Sequence, residues 1–311
     1  MNNYPIKITF ILPSLTAGGA QRIVSFVAQN IDRSLFEPTL LIISDKSKTA
    51  YNTSNIEIIY LNKERVRFGI PGIIKHLTEN KPDIVLSSIA HLNTVMAFIS
   101  PFFLNIKFIA REANVMSVVK NYKKGNAILS TYLISLSYRL FDKIVCQSID
   151  MKKDLQEFYR LPKSKLHLIN NPITDEFVLK DKEYNPDKVS LITVGSFKKQ
   201  KGHLRILEVL SKLNMDFEYT LIGDGEEKAE IFNKISKLKL EKKIRHIPYT
   251  NNVIDYLGQS DYFLQGSFVE GFPNCLLESS AAGTPIIAFK APGGLNEIIN
   301  QGINGVIVED E

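Results

Sequence analysis

The reading of this chain turns on Asp261 to Phe289, DYFLQGSFVEGFPNCLLESSAAGTPIIAF. Two apolar runs, Tyr262 to Leu264 and Ile286 to Phe289, read as buried strands, with a loop and then a helix between them. Pro273 suits the first helical turn, because its fixed φ fits there and its missing N–H would have been unpaired anyway. Glu270 then falls in the loop, and Glu278 lies inside the helix, roughly 1.5 turns from its start. Two carboxylates so spaced can address different ends of one ligand. Asn274 and the open N–H groups of the first turn favour an anion in front of them.

The pair Glu270 and Glu278 forms E-x7-E, with G-F-P-N between the carboxylates and A-x-G-x-P behind them. This segment resembles the donor-sugar site of the retaining glycosyltransferases of family 4, which have the two-domain GT-B fold. The resemblance implies that Glu270 faces the transferred sugar. It further implies that backbone N–H groups of the segment after it, with Gly271, Phe272, Asn274 and Leu276, contact the sugar hydroxyls, and that Glu278 holds the nucleotide ribose.

At 311 residues the chain exceeds one comfortable core, so two domains are the default. A hydrophobic fraction of 44% describes a globular protein and not a disordered one. The start reads as a short strand and not as a signal peptide, and no uninterrupted apolar run reaches the roughly 18 residues of a membrane span. Cys146 and Cys275 sit in apolar segments without metal-ligand spacing, and read as reduced core residues of a cytosolic protein. Residues 1–180 carry 23 Lys and Arg against 14 Asp and Glu, whereas residues 181–311 carry 15 against 19. That asymmetry fits a first domain facing an anionic phospholipid surface, a diphosphate-linked acceptor or nucleic acid, and fits ordinary solvated lysines equally. No nucleic-acid module signature supports the third candidate, so no nucleic-acid partner is expected.

From the start, Ile6 to Leu12 is an apolar strand, followed by SLTAGGAQR and a helix from about Ala20. A strand, a Gly-Gly turn and a helix let backbone approach a phosphate, and a tight turn with no ligand needs the same glycines. Family 4 enzymes carry a similar loop facing the donor diphosphate, and Gly18 and Gly19 match it. Further strands are expected at Thr39 to Ile43, Ile56 to Leu61, Ile84 to Ser88, Lys107 to Ala110 and Lys143 to Gln147, alternating with helices. Such alternation means a parallel sheet with ligands at the carboxyl ends of its strands. His91, Arg111 and Glu112 follow two of those ends and are the acceptor-side candidates, each open to a structural reading. The family often has a His or a charged residue in the loop matching Arg111 to Asn114, and this chain has no His there. The basic NYKKGN at residues 121–126, followed by an apolar helix at Ala127 to Phe141, reads either as an interfacial membrane contact or as a buried core helix.

Residues 1–171 form the expected N-terminal, acceptor-binding Rossmann-like domain, 172–188 the linker, and 189–311 the C-terminal nucleotide-sugar-binding domain. Asn171-Pro172 matches the N-P that ends the first domain in the family. The second domain opens with SLITVGSFKKQKGHLRILEVL, in which Lys198, Lys199 and Lys201 can neutralise a diphosphate. Most family members carry Arg where Ser196 stands, so charge stabilisation is expected to rest on Lys201, helped by Lys198. Tyr249 falls where the family lines the nucleotide base. The sequence stops at Glu311, directly after a strand, where the GT-B pattern continues into crossover helices; the expectation is that these are missing, through truncation or replacement by a partner.

The resemblance implies a retaining glycosyltransferase that moves a sugar from a nucleotide sugar, UDP-linked, to a lipid-linked, lipopolysaccharide or capsule acceptor, without a cofactor. No metal is expected, since Asp-x-Asp is lacking and lysine with backbone dipoles can do the charge work. Its implied location is cytoplasmic, with peripheral contact to an anionic membrane. The alternatives are a sugar-nucleotide epimerase on the same fold and a non-catalytic partner subunit.

Overall fold

The structure is a computed structural model. It describes residues 5–51, 53, 55–119, 127–174, 177, 179 and 188–310, with backbone only at 48 and 127–131. The chain divides into two compact units, one of residues 1–117 and 124–171 and one of residues 118–123 and 172–311. The basic segment 121–126 and most of 172–188 lie outside the described residues.

The first unit runs β1 (Ile6–Leu12), α1 (Gly19–Asn30), β2 (Phe36–Ile42), β3 (Glu57–Tyr60), α2 (Val66–Asn80), β4 (Ile84–Ser88), α3 (Ala90–Ile99) and β5 (Lys107–Arg111). It continues through α4 (Met116–Val119), α5 (Ala127–Tyr138), β6 (Lys143–Cys146), α6 (Ile149–Glu157) and β7 (Leu166–Leu168). Its seven strands lie in the order β3-β2-β1-β4-β5-β6-β7, every pairing parallel. Near-continuous apolar strands such as IKITFIL are what a parallel sheet covered on both faces requires. Val24 and Ala28 of α1 pack on Ile8, Phe10, Leu12, Leu40 and Ile42. The order reverses between β1 and β4, so the loops after these strands diverge and leave a crevice at their carboxyl ends.

The second unit runs β8 (Val189–Val194), α7 (His203–Ser211), β9 (Phe217–Ile222), α8 (Lys228–Lys237), β10 (Ile244–Ile247) and α9 (Val253–Gly258). After these come β11 (Tyr262–Gln265), α10 (Asn274–Ala281), β12 (Ile286–Phe289), α11 (Leu295–Ile298) and β13 (Gly305–Val308). Six parallel strands are ordered β10-β9-β8-β11-β12-β13. Successive residues of β8 serve opposite faces. Leu191 packs with Leu207, Leu210, Tyr219 and Ile231 on the side of α7 and α8, and Ile192 packs with Leu257, Phe263, Leu276 and Leu295 on the other. Here the order reverses between β8 and β11, whose registers pair Tyr262 with Leu191 and Phe263 with Ile192.

The start of α7 and the exit of β11 touch backbone to backbone. A Cβ on Gly202, which has φ +62°, would lie 1.9 Å from the Gly266 carbonyl oxygen. Left-handed backbone and close approach together require glycine. Gly202→Ala is expected to cost more than about 2 kcal/mol of stability, read by urea denaturation. A variant as stable as the parent would mean that the seam relaxes freely.

Candidate functional site

The reversal between β8 and β11 brings the two loops after those strands to one spot, and each loop delivers a charge. Lys201 ends a 3-10 turn, Lys199–Lys201, that follows β8; Glu270 follows β11. The Lys201 ammonium donates to both oxygens of the Glu270 carboxylate, at 2.7 Å to Oε1 and 2.9 Å to Oε2. Glu270 is buried and Lys201 is partly so. Oε1 also accepts from Gln265 Nε2 at 2.8 Å and from Ser267 Oγ at 2.5 Å. A buried carboxylate needs this many donors, because isolated in the interior it would shed its charge. Burial works against the charged form of Lys201, but the Glu270 carboxylate beside it, with a smaller contribution from Cys275, holds the ammonium above its ordinary range.

The Glu270 backbone is fixed as firmly as its side chain. Its N–H donates to the Pro292 carbonyl at 2.9 Å, and Gly294 N donates to the Gly271 carbonyl at 2.8 Å. A Cβ on Gly293, at φ +129°, would stand 2.4 Å from the Glu270 carbonyl oxygen, and one on Gly294 would stand 2.2 Å from the Phe272 ring. The Gly-Gly turn after β12 is thus the seat of the Glu270 loop. The helix begins one residue later than the sequence suggested: Pro273 caps α10 in an extended conformation, with ψ 109°. Glu278 is consequently the fifth helical residue, and it is buried.

Ser196 and Lys198 lie in the same loop as Lys201. The Ser196 carbonyl accepts from Lys198 N at 2.9 Å and from His203 Nε2 at 3.1 Å. Lys198 is exposed. Leu276, read from the sequence as a donor contact, is turned into the core at 0% exposure, and its N–H donates to the Pro273 carbonyl at 3.1 Å. Phe272 is likewise buried in that core, whereas Asn274 is half-buried. Tyr249 is exposed, its hydroxyl donating to Asn251 Oδ1 at 2.7 Å. Cys146 is buried and Cys275 only half-buried; both are free thiols.

In the first unit, Gly18 caps α1 and Gly19 opens it. The Tyr51 hydroxyl closes on Gly18, accepting from its N–H at 2.5 Å and donating to its carbonyl at 2.8 Å. His91 is exposed near the start of α3. Arg111 and Glu112 are both buried. Arg111 donates to Asn171 Oδ1 at 2.7 Å and to Ser88 Oγ at 3.3 Å, and burial pulls its guanidinium down to about 10 against the pull of Glu112. Glu112 accepts from the Tyr138 hydroxyl at 2.6 Å and from Ala113 N at 2.9 Å. Burial first and Glu112 second push the Tyr138 phenol far up.

Sequence reading missed Gln265 and Ser267, which donate to Glu270, and Arg205, which donates to the Gly266 and Ser267 carbonyls. Ser267 lies three residues before Glu270 and Arg205 four after Lys201, so spacing alone offered a signal.

Two parallel α/β sheets, each with one reversal of strand order, are the two units of a GT-B fold. A model described as "Glycosyltransferase Family 4" matches residues 17–177, and one described as "Glycosyl transferases group 1" matches residues 175–311. The chain belongs to glycosyltransferase family 4. It is 24% identical to the Campylobacter jejuni N-acetylgalactosamine-N,N'-diacetylbacillosaminyl-diphospho-undecaprenol 4-alpha-N-acetylgalactosaminyltransferase, over 97% of this chain and 86% of that protein. The amylovoran biosynthesis glycosyltransferase AmsD of Erwinia amylovora is also 24% identical, again over 97% and 86%. Among solved structures, Anabaena HepE in complex with UDP-glucose superposes with a TM-score of 0.83 at 17% identity, covering 98% of this chain and 85% of that one.

His203 supplies a pH test of the Lys201 loop. Its Nε2 must carry the proton to donate to a carbonyl, and its buried Nδ1 has no partner among the described residues. Burial first and the Lys201 charge after it hold the imidazole down to about 4, against the Ser196 hydrogen bond. Below pH 6.5 the unfolded chain therefore binds a proton that the folded chain refuses. Stability is expected to fall by up to about 3 kcal/mol between pH 6.5 and 4 through this group. The urea midpoint of the parent should fall more steeply than that of His203→Gln between pH 6.5 and 4; parallel curves would contradict this.

Proposed function

We propose that this chain is a retaining glycosyltransferase that moves a sugar from a UDP-sugar to a lipid-linked glycan acceptor in the assembly of a cell-envelope polysaccharide. The observation that carries this reading is the Lys201–Glu270 pair at the strand-order reversal of the second sheet, where an α/β fold of this kind holds its ligand. Donor binding would part the pair. Lys201 would turn to the diphosphate and offset the charge that grows on it as the glycosidic bond breaks. Glu270, still held by Ser267 and Gln265, would accept hydrogen bonds from the sugar hydroxyls and orient the anomeric carbon. Glu278 would bind the ribose, and Tyr249 would border the base. The proposed chemistry gives no role to a metal or a cofactor. The first unit would bring the acceptor, with Gly18, Gly19, His91, Arg111 and Glu112 as its candidate residues.

The UDP-glucose bound to the structural neighbour and the diphospho-undecaprenol in the name of the Campylobacter relative support the choice of donor and acceptor. An acceptor with a lipid tail calls for a membrane surface on the first unit, and the outer side of α2 and α3 fits one. A cleft of about 530 Å³ there is lined by Ile70, Ile74, Val95, Phe98, Phe102 and Phe103, with almost no polar atoms. Phe102 of that lining is 82% exposed, and Leu104, two residues on, is 84% exposed. Apolar surface of this kind marks an interaction site. Arg65, which caps α2, and Arg67 and Lys75 within it are exposed and would complement anionic headgroups. Among the described residues no helix is long and apolar enough to cross a membrane, so the contact proposed is peripheral.

Two measurements test the proposal. Calorimetry should find UDP-glucose or another UDP-sugar bound at micromolar to millimolar Kd, weakened at least tenfold by Glu278→Ala, while Glu270→Ala keeps the fold and loses turnover. A folded protein that binds none of UDP, GDP or ADP, alone or sugar-linked, would contradict the donor assignment. In flotation with vesicles, phosphatidylglycerol-rich bilayers should carry the protein and pure phosphatidylcholine should not, and Phe102→Ser with Leu104→Ser should abolish the difference. Equal binding by that double variant would remove the membrane surface.

A further inference from the structure

We propose that Arg205 is a positioning residue for the donor-facing carboxylate, acting through Ser267 on Glu270; this rests on the reading of Glu270 given above. Arg205 is the third residue of α7, four after Lys201. Its guanidinium lies between two rings, with Cζ 4.1 Å from the centroid of Phe268 and 4.2 Å from that of Phe289. In that plane it donates from Nε to the Gly266 carbonyl at 2.6 Å, from Nη2 to the Ser267 carbonyl at 2.5 Å and from Nη1 to Asp310 Oδ2 at 2.8 Å. Two consecutive backbone carbonyls at the exit of β11 are therefore held by one rigid fork. The second of them belongs to Ser267, whose buried hydroxyl donates to Glu270 Oε1.

The same seam is closed from below. A Cβ on Gly266 would stand 2.6 Å from the Gly202 carbonyl oxygen, so strand exit and helix start are already in contact where Arg205 crosses them. If only cohesion were needed, an apolar side chain between the two phenylalanines would serve. The guanidinium instead uses its N–H groups on the turn that aims Ser267. Lysine cannot reproduce this, because its ammonium has neither the planar fork nor the stacking face. The consequence concerns the moment when Lys201 leaves Glu270 for the diphosphate. Glu270 Oε1 then depends on Ser267 and Gln265, and the direction of the Ser267 hydroxyl depends on Arg205.

The test is a comparison of the parent with Arg205→Met, Arg205→Lys and Ser267→Ala, each kept well below its melting temperature. The Gln265 side-chain amide donates to the same Glu270 oxygen and reports on it by nitrogen-15 NMR without any donor present. Its two proton signals are expected to move toward the position of a free carboxamide in Arg205→Met and in Ser267→Ala, and part of the way in Arg205→Lys. With UDP-glucose as the probe, its slow hydrolysis should fall roughly 10- to 100-fold in Arg205→Met while the Kd of UDP stays within about twofold. The double variant Arg205→Met with Ser267→Ala should lose no more than either single one, since both act on one contact. Unmoved Gln265 signals in folded Arg205→Met, or rate losses that multiply in the double variant, would reduce Arg205 to a stabilising residue. Should the parent bind no nucleotide, the functional reading fails, and the Gln265 signals still decide whether Arg205 positions Glu270.

Discussion

Everything in the second unit answers to one constraint: a carboxylate, Glu270, is held with 5% exposure at the tips of parallel strands. A buried charge of this kind is tolerated only when paired and fully hydrogen-bonded, and removing its partner costs about 3–5 kcal/mol. Lys201 supplies the opposite charge from the neighbouring loop, and Gln265 at the end of β11 and Ser267 just after it supply neutral donors. The glycines follow from the same need. Gly202 and Gly266 let the two loops meet, and Gly293 and Gly294 let the next loop lie against the Glu270 backbone. A sheet whose order reversed elsewhere would not bring Lys201 and Glu270 together at all.

The pair also explains why the site is usable. An ion pair that was the only support of Glu270 could not be opened without exposing a bare carboxylate. Here one oxygen has two donors besides Lys201, so that, in the proposed function, the lysine would be available to a diphosphate. The two units handle buried charge differently. In the first, Arg111 and Glu112 are adjacent in sequence yet turn to separate neutral partners, Asn171 and Ser88 for the one and Tyr138 for the other. Asn93 ties the two sets, donating to the Arg111 carbonyl and to the Tyr138 hydroxyl, both at 3.2 Å.

Much of this was legible in the sequence. The strands at Ile6–Leu12, Ile84–Ser88 and Ile286–Phe289 were bounded to the residue, because each is an apolar run cut off by turn residues. The position of Glu270 in a loop and Glu278 in a helix followed from Pro273, even though the helix starts after that proline. Other features depended on tertiary contact. Nothing in a lysine and a glutamate 69 residues apart announces an ion pair; it requires knowing that β8 and β11 are neighbours. Arg205 was hidden among other basic residues, since its role lies in carbonyls that every residue has. That the Leu276 side chain belongs to the core could not be read from periodicity, which does not say which face of a short helix meets the core.

The central claim is that the Lys201–Glu270 pair opens to receive the donor. The most direct measurement is an amide NMR map of the parent protein titrated with UDP and then with UDP-glucose. The account predicts perturbations concentrated in residues 195–203 and 266–280 for both, with UDP-glucose moving the Gln265 side chain and the Glu270 amide more than UDP does. Perturbations absent from those two loops, or centred on another part of the chain, would contradict it.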